Sequence, residues 1–191
     1  MKIYKHESYE EYVKAQTKTN KSKIKWVYAN PEKIRRICED NPDCKFVICH
    51  GTRNGSEQKF FKKHLPNAEI IGTEISDNAE TFEMTVQHDF SIPKEEWIGK
   101  ADIVYSNAFD HSNVPEKTIQ TWKDQLSKSG RLYLEYSEKD SVCEPADCLD
   151  ATESEVIELL QKNGFEIIDR FHGSKTAKVL VCVIKESDLD D

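Results

Sequence analysis

The stretch Phe46-Val47-Ile48-Cys49-His50-Gly51-Thr52-Arg53-Asn54-Gly55-Ser56-Glu57 decides how this chain reads. Its apolar first half has the length and composition of a buried strand ending at His50. Gly51 and Gly55 then bracket a turn, and residues 56–65 follow with helix-forming character. A strand end, a tight turn and a helix start in succession build the small-molecule site of an open α/β sheet. Two glycines let the backbone bend sharply and approach a ligand. The first N–H groups of the helix have no partner within it and face the crevice. Such a turn also serves as plain structure, so its surroundings carry the argument.

Those surroundings repeat one pattern. Residues 69–74, 84–88, 101–106 and 131–136 read as strands. Between them lie helical stretches at 78–82, 94–97 and 115–126, the last with Ile119, Trp122 and Leu126 on one face and Gly130 placed to cap its end. Thr152-Glu153-Ser154-Glu155 opens a helix over 152–162 with a capping box, and Asn163-Gly164 closes it. Residues 165–171 and 177–184 then read as two strands joined by a hairpin-like connection at 172–175. This order predicts an α/β fold: a mostly parallel sheet with an antiparallel terminal strand. Helix-like segments at 9–16 and 31–38 suggest an N-terminal helical cap over residues 1–44, before a main domain at 45–185 and an acidic tail at 186–191. The aperiodic segment 138–151, with Cys143-Glu144-Pro145-Ala146-Asp147-Cys148 at its centre, has the length of a functional loop over a site.

A chain of 191 residues suits one domain with a short tail. Its net charge of −8 leaves no basic footprint for phosphates, so extended nucleic acid is not an expected partner. Lys14, Lys18, Lys21, Lys23 and Lys25 read as a solvated surface. No apolar run approaches the ~20 residues that span a bilayer, and the first residues turn charged before an apolar run develops. The six cysteines form no CxxC pair, and Cys49 and Cys182 lie in apolar strand-like runs. These features predict free thiols and a cytoplasmic setting. His50, His64 and His172 show no ligand-like spacing, so no metal site is expected.

The ends of the strands are polar or ionisable. Glu74 ends the second strand about 20 residues past the turn, a spacing at which a carboxylate grips the cis-diol of a ribose. A solvated strand-end acid is the other role open to it. Asp89, followed by Phe90, suits an adenine amino group or a turn cap. Asn107, Asp110 and His111 follow the fourth strand. Together these residues favour an adenosine-containing ligand.

In these motifs the chain resembles the class I S-adenosylmethionine-dependent methyltransferases over residues 45–185. The glycine turn matches the family's first motif, Glu74 its ribose-binding acid and Asp89-Phe90 its adenine-side pair. Residues 102–107 match its fourth motif, and Lys128-Ser129-Gly130-Arg131 matches the start of its fifth strand. The resemblance implies a Rossmann-like fold of seven strands with helices on both faces, S-adenosyl-L-methionine as cofactor, and a site containing Gly51, Thr52, Arg53, Gly55, Glu74, Ile75, Asp89, Phe90, Asn107 and His111. Two departures stand out: Cys49 replaces the family's usual acid, and Arg53 replaces the middle glycine. Both fit a type 11-like branch whose turn reads C-x-G-x-R-x-G-x-E, here Cys49, Gly51, Arg53, Gly55 and Glu57, with Ser106-Asn107-Ala108-Phe109-Asp110-His111 after the fourth strand. In that setting Arg53 either forks onto the methionine carboxylate or fixes Glu57 or Asp110.

His111 is the candidate acid–base residue, with Asp110 orienting it or binding substrate; capping or cofactor contact is the other role open to His111. The acidic surface and the absence of an N-P-P-Y-type tetrad point to a small-molecule or saccharide-type acceptor, methylated at oxygen or nitrogen. The alternative is a catalytically inactive cofactor-binding protein that regulates or binds a partner. A nicotinamide enzyme is disfavoured, because Arg53 stands where a pyrophosphate would approach the helix.

Overall fold

Val47 and Cys49 face one side of their strand and Ile48 the other, and all three are buried. Burial on both faces is what a strand inside a parallel sheet requires. The computed structural model describes residues 1–137, 143–172 and 177–188. In chain order the elements are β1 (Lys2–Ile3), α1 (Tyr9–Ser22), α2 (Pro31–Glu39), β2 (Phe46–His50), α3 (Ser56–His64), β3 (Glu69–Glu74), β4 (Thr85–Gln87), β5 (Ala101–Ser106), α4 (Pro115–Gln125), β6 (Leu126–Ser137), β7 (Leu149–Asp150), α5 (Glu153–Lys162), β8 (Phe165–His172) and β9 (Ala177–Ile184).

Seven strands form one sheet in the order β4-β3-β2-β5-β6-β9-β8. Strands β4, β3, β2, β5 and β6 are parallel, and β9 runs antiparallel to both β6 and β8. Chain order reverses between β2 and β5, which makes the carboxyl ends of these strands the switch point. On one face Ile48, Val104, Leu132 and Leu180 pack with Ile119 and Trp122 of α4 and with Val156 and Leu160 of α5. On the other, Val47, Ile103, Tyr133 and Val181 pack with Ile34 and Ile37 of α2 and with Phe61 of α3. The helices of both faces thus share the sheet's apolar core.

Local chemistry starts the helices where capping side chains allow. Asn30 Oδ1 accepts from the Glu32 and Lys33 N–H groups at the head of α2, where Pro31 needs no partner. The capping box at α5 is formed: Glu155 N donates to Thr152 Oγ1 at 3.3 Å and Thr152 N to Glu155 Oε2 at 2.8 Å.

Several expectations need correction. Helix α1 runs on from the expected residue 16 to Ser22, because Gln16 and Asn20 are buried against the rest of the protein although polar. Helix α4 stops at Gln125, and Gly130 caps nothing: Leu126 already pairs with Ala101, and the strand continues through Gly130. A side chain at Gly130 would meet the Ala101 carbonyl at 2.5 Å, so the residue is a close-approach glycine within a strand. The helical stretch expected at 78–82 is a single 3₁₀ turn, Ala79–Thr81. The acidic tail begins tied down, with Lys123 Nζ donating to Asp188 Oδ2 at 2.6 Å. Strands β1 and β7 pair antiparallel and join the chain start to the stretch before α5. Residues 138–142 of the aperiodic loop, 173–176 of the hairpin connection and 189–191 of the tail lie outside the described residues. No described helix is long and apolar enough to cross a membrane.

Candidate active site

The turn after β2 takes left-handed backbone at every second residue. Gly51 and Gly55 both have φ of 73°, and Arg53 between them has 48°, rare for a residue with a side chain. A methyl group at Gly51 would fall 2.5 Å from Ala108 Cβ, so only glycine lets the turn lie against the end of β5. The N–H groups of Gly51 and Thr52 are used within the fold, since both donate to the Thr73 carbonyl, at 2.9 and 3.0 Å. Thr52 Oγ1 accepts from Gln58 Nε2 at 2.9 Å, which anchors the turn to α3.

Two cavities meet at this turn, sharing Gly51, Arg53, Ala108 and His111. The narrow one, about 40 Å³, is walled by Glu74, Ile75, Asp89 and Phe90 and roofed by Tyr12, Gln16, Thr19 and Asn20 of α1. The wide one, about 440 Å³, takes in Thr52, Glu57, Asn107, Asp110, Glu135, Asp147 and the exposed rings of Trp26 and Tyr28. Gly55 lines neither; it is the residue at which α3 begins.

Both strand-end acids are buried and structurally engaged. Glu74 Oε2 accepts from Arg53 N at 3.0 Å and Oε1 from Ser76 N at 2.9 Å. Each carboxylate oxygen offers a second acceptor position, so holding the loop leaves Glu74 able to take two further donors. Asp89 Oδ1 accepts from the N–H and hydroxyl of Ser91, and Oδ2 from the Tyr9 hydroxyl at 3.1 Å. Burial, with help from Asp89, raises the Tyr9 phenol to about 12, so it stays a donor.

Arg53 sends its guanidinium over the Tyr28 ring, 4.8 Å from the centroid, where the ring's negative face attracts it. Glu57, in the first turn of α3, is buried; its Oε1 accepts from Asn107 Nδ2 at 3.2 Å and its Oε2 has no partner. Desolvation raises its carboxyl from 4.5 to about 7, against the opposing pull of its own backbone N–H, Asn107 and Arg53.

His111 belongs to a short 3₁₀ turn, Phe109–His111, beyond β5. Its Nδ1 lies 2.7 Å from the Ala146 carbonyl, which assigns the ring hydrogen to Nδ1. Nε2 is therefore the nitrogen with a lone pair, and Asp110 Oδ1 stands 3.9 Å from it. Asp147 Oδ1 lies 3.4 Å from Nδ1. The loop supplies the orienting groups, whereas the sequence suggests Asp110 for that part. Asp110, His111 and Asp147 are the one group of described residues whose ligand atoms lie close enough together to hold a cation. His50 is structural: both ring nitrogens meet Thr73 and Gln125, it stacks on Trp122, and burial lowers it to about 3.

The turn, Glu74, Ile75, Asp89, Phe90, Asn107, Asp110 and His111 thus converge at one end of the sheet. Sequence reasoning expects a helical cap at 9–16 but names none of the roof residues Tyr12, Gln16 and Asn20, which sit on a helix of weak apolar period. It gives Glu57 a part only as a partner for Arg53, whereas the side-chain hydrogen bond that Glu57 makes is with Asn107.

A Burkholderia thailandensis 1,6-didemethyltoxoflavin-N1-methyltransferase, solved with 1,6-didemethyltoxoflavin and S-adenosylhomocysteine, superposes with a TM-score of 0.75 at 15% identity, covering 96% of this chain and 93% of that one. The fold is that of a class I methyltransferase. A TehB-like S-adenosylmethionine-dependent methyltransferase from Corynebacterium glutamicum gives 0.63 at 14% identity, over 92% of this chain and 98% of that one. The [4+2]-cyclase SpnF gives 0.66 at 11% identity, over 81% and 80%. At such identities the likeness concerns the fold, and the class I fold hosts more than one chemistry. No family profile and no curated protein matches the chain.

Proposed function

We propose that the protein is an S-adenosylmethionine-dependent methyltransferase acting on a small-molecule or saccharide-type acceptor, at oxygen or nitrogen. The observation that carries this reading is the convergence of the turn, Glu74 and Asp89 on one narrow cleft that opens past Gly51 and Ala108 into a wide cavity. The donor set fits the cofactor: buried carboxylates for hydroxyls and an amine, a glycine cradle, and an unpartnered Asn20 Oδ1 in the residue set around the narrow cleft.

In this reading Glu74 holds the ribose hydroxyls through its remaining acceptor positions, and Asp89 with Phe90 and Ile75 takes the adenine side. Gly51, Thr52 and Gly55 shape the turn, Arg53 takes the carboxylate of the methionine end, and Asn107 and His111 line the passage to the acceptor. When bound, S-adenosylmethionine supplies an electrophilic methyl group on its sulfonium. His111, held at Nδ1 by the Ala146 carbonyl, presents Nε2 to accept the proton of an acceptor hydroxyl. Asp110 steadies the positive charge that this leaves on the ring. A nitrogen acceptor with a free lone pair needs only alignment from these walls. The surface charge supports a small acceptor over extended nucleic acid.

Calorimetry with S-adenosylmethionine, S-adenosylhomocysteine and NAD is expected to show binding of the first two alone; tighter NAD binding refutes the reading. Transfer of labelled methyl into a metabolite extract then identifies the acceptor. Cofactor binding without any transfer favours the inactive, partner-binding alternative.

A further inference from the structure

Cys143 and Cys148 stand outside both apolar clusters of the core and take no part in the proposed chemistry. Glu144 N donates to the Asp147 carbonyl at 3.2 Å, which folds Pro145 and Ala146 into a two-residue turn. In an antiparallel pairing the residues next to a hydrogen-bonded couple face each other with Cα atoms about 4.5 Å apart, and here those residues are Cys143 and Cys148. A disulfide spans Cα separations of about 4.4–6.8 Å. The side chains agree with that placing: Cys143 Sγ donates to the Cys148 carbonyl at 2.9 Å. Both thiols are free, Cys143 half-buried and Cys148 fully buried. Burial, and next to it the neighbouring Cys143, pushes the Cys148 thiol up to about 12, so Cys143 is the sulfur that an outside reagent meets first.

The same turn orients His111. Its Ala146 carbonyl lies 2.7 Å from His111 Nδ1 and accepts from Gln16 Nε2 of α1 at 2.8 Å. Asp147 Oδ1 is 3.4 Å from the same His111 nitrogen. Cys148 Sγ donates to the Pro145 carbonyl at 3.3 Å and accepts from the Gln16 amide at 3.6 Å. Bonded sulfurs stand about 2.05 Å apart with a torsion near about 90°, so closure draws both sulfurs off these carbonyls and reshapes the turn between them. Cys38 and Cys44 also influence each other, but they pack in the apolar cluster of α2 and α3 and line neither cavity.

We propose that Cys143 and Cys148 are a reversible modification site: exchange with a small disulfide such as oxidised glutathione closes them into a disulfide, and closure moves the Ala146 carbonyl and Asp147 from their places against His111. In the first step the Cys143 thiolate attacks one sulfur of oxidised glutathione, whose S–S bond breaks and releases one glutathione thiolate. Cys148 then gives up its proton and attacks the Cys143 sulfur of the mixed disulfide, releasing the second glutathione. Two protein thiols are oxidised, one glutathione disulfide is reduced to two thiols, and the two protons end on those thiols. The inference concerns the setting of His111 and stands apart from the methyltransferase reading.

The experiment equilibrates the whole protein in buffers running from reduced to oxidised glutathione, traps the thiols by acid, and maps tryptic peptides by mass. In oxidised glutathione the wild type should lose two of its six free thiols, with the peptide that holds both Cys143 and Cys148 lighter by two hydrogens. Excess reduced glutathione should restore it. The His111 imidazole signals in NMR spectra should shift in step with the oxidised fraction, and stay in place when Cys143→Ser meets the same buffers. Six free thiols persisting in oxidised glutathione overturn the site, as does glutathione left on Cys143 without closure. A bond mapped to Cys38 and Cys44 overturns the assignment, and a bond at 143–148 that leaves the His111 signals unmoved overturns the link to the site. Each of these outcomes is read on the wild type, so a variant that fails to fold does not shelter the proposal.

Discussion

Replacing Glu57 with glutamine should make the ligand-free protein less sensitive to rising pH. Desolvation holds the Glu57 carboxyl near 7 instead of 4.5. The charged or ionisable groups that act on it are Arg53, which lowers it, and Glu135, which raises it. Cys49 and Tyr105 also face it, but burial drives both far above their ordinary values, so they stay neutral. The folded pKa lies above the unfolded one, so the unfolded chain releases the proton first. The group's contribution is complete below the unfolded value and is lost as pH climbs through about 7. At about 1.4 kcal/mol per unit, that loss comes to about 3 kcal/mol. Glutamine keeps the shape, still accepts from Asn107 and does not titrate. Its amide N–H₂ gains no assured acceptor, which lowers the variant by about 1–3 kcal/mol at every pH. The slope of the difference therefore carries the test, and its offset does not. Urea unfolding of both proteins without ligand, from about pH 5 to about pH 8, should show the variant gaining about 3 kcal/mol on the wild type. In a chain of this length that is about 6–12 °C in melting temperature. A difference that stays flat over the same range refutes a buried, titrating Glu57.

Glu74→Ala should cost roughly 1.5–3 kcal/mol of S-adenosylhomocysteine binding by calorimetry, and unchanged affinity would remove the residue from the site. His111→Ala should lose turnover while retaining cofactor affinity, and parallel losses would make the ring a cofactor contact. Gly51→Ala forces a methyl group to within 2.5 Å of Ala108 Cβ at a positive φ, so it should lower stability by about 1–3 kcal/mol in urea and weaken cofactor binding. Tyr9→Phe frees Asp89 Oδ2 and should speed cofactor association up to about 10-fold in stopped flow. An unchanged association rate would show that the Tyr9 link does not break when the narrow cleft opens.

The parallel half of the fold was legible because its cause is local. A strand buried on both faces reads as a run of apolar residues, and the glycines and caps between runs have their own chemistry. The same logic misplaces the end of α4. Gly130 looks like a helix cap in sequence, but Leu126 already pairs with Ala101 across the sheet. A short-range signal carries no information about a neighbouring strand that approaches from outside its window. Helix α1 is underread for a related reason: Gln16 and Asn20 bury polar groups toward the loop and the turn, so the helix has little apolar period to detect.

The site divides along the same line. Glu74 and Asp89 are readable because the topology of a parallel sheet places every strand's carboxyl end on one edge, so position in sequence becomes position in space. What roofs them is set by contacts such as Tyr9 to Asp89 and Tyr12 to the His111 carbonyl, which join segments 80 and 99 residues apart. Those contacts have a consequence for binding. The cleft of about 40 Å³ is narrow beside the cavity of about 440 Å³ that it joins, and α1 forms its roof. Glu74 and Asp89 both line this cleft beneath Tyr12, Gln16, Thr19 and Asn20. Helix α1 is held over the cleft by a handful of side-chain hydrogen bonds, while the strand ends beneath it are fixed by the sheet. Of the elements around the narrow end, α1 is the one held least firmly, which is why Tyr9, far in sequence from every motif, is expected to affect the rate of entry.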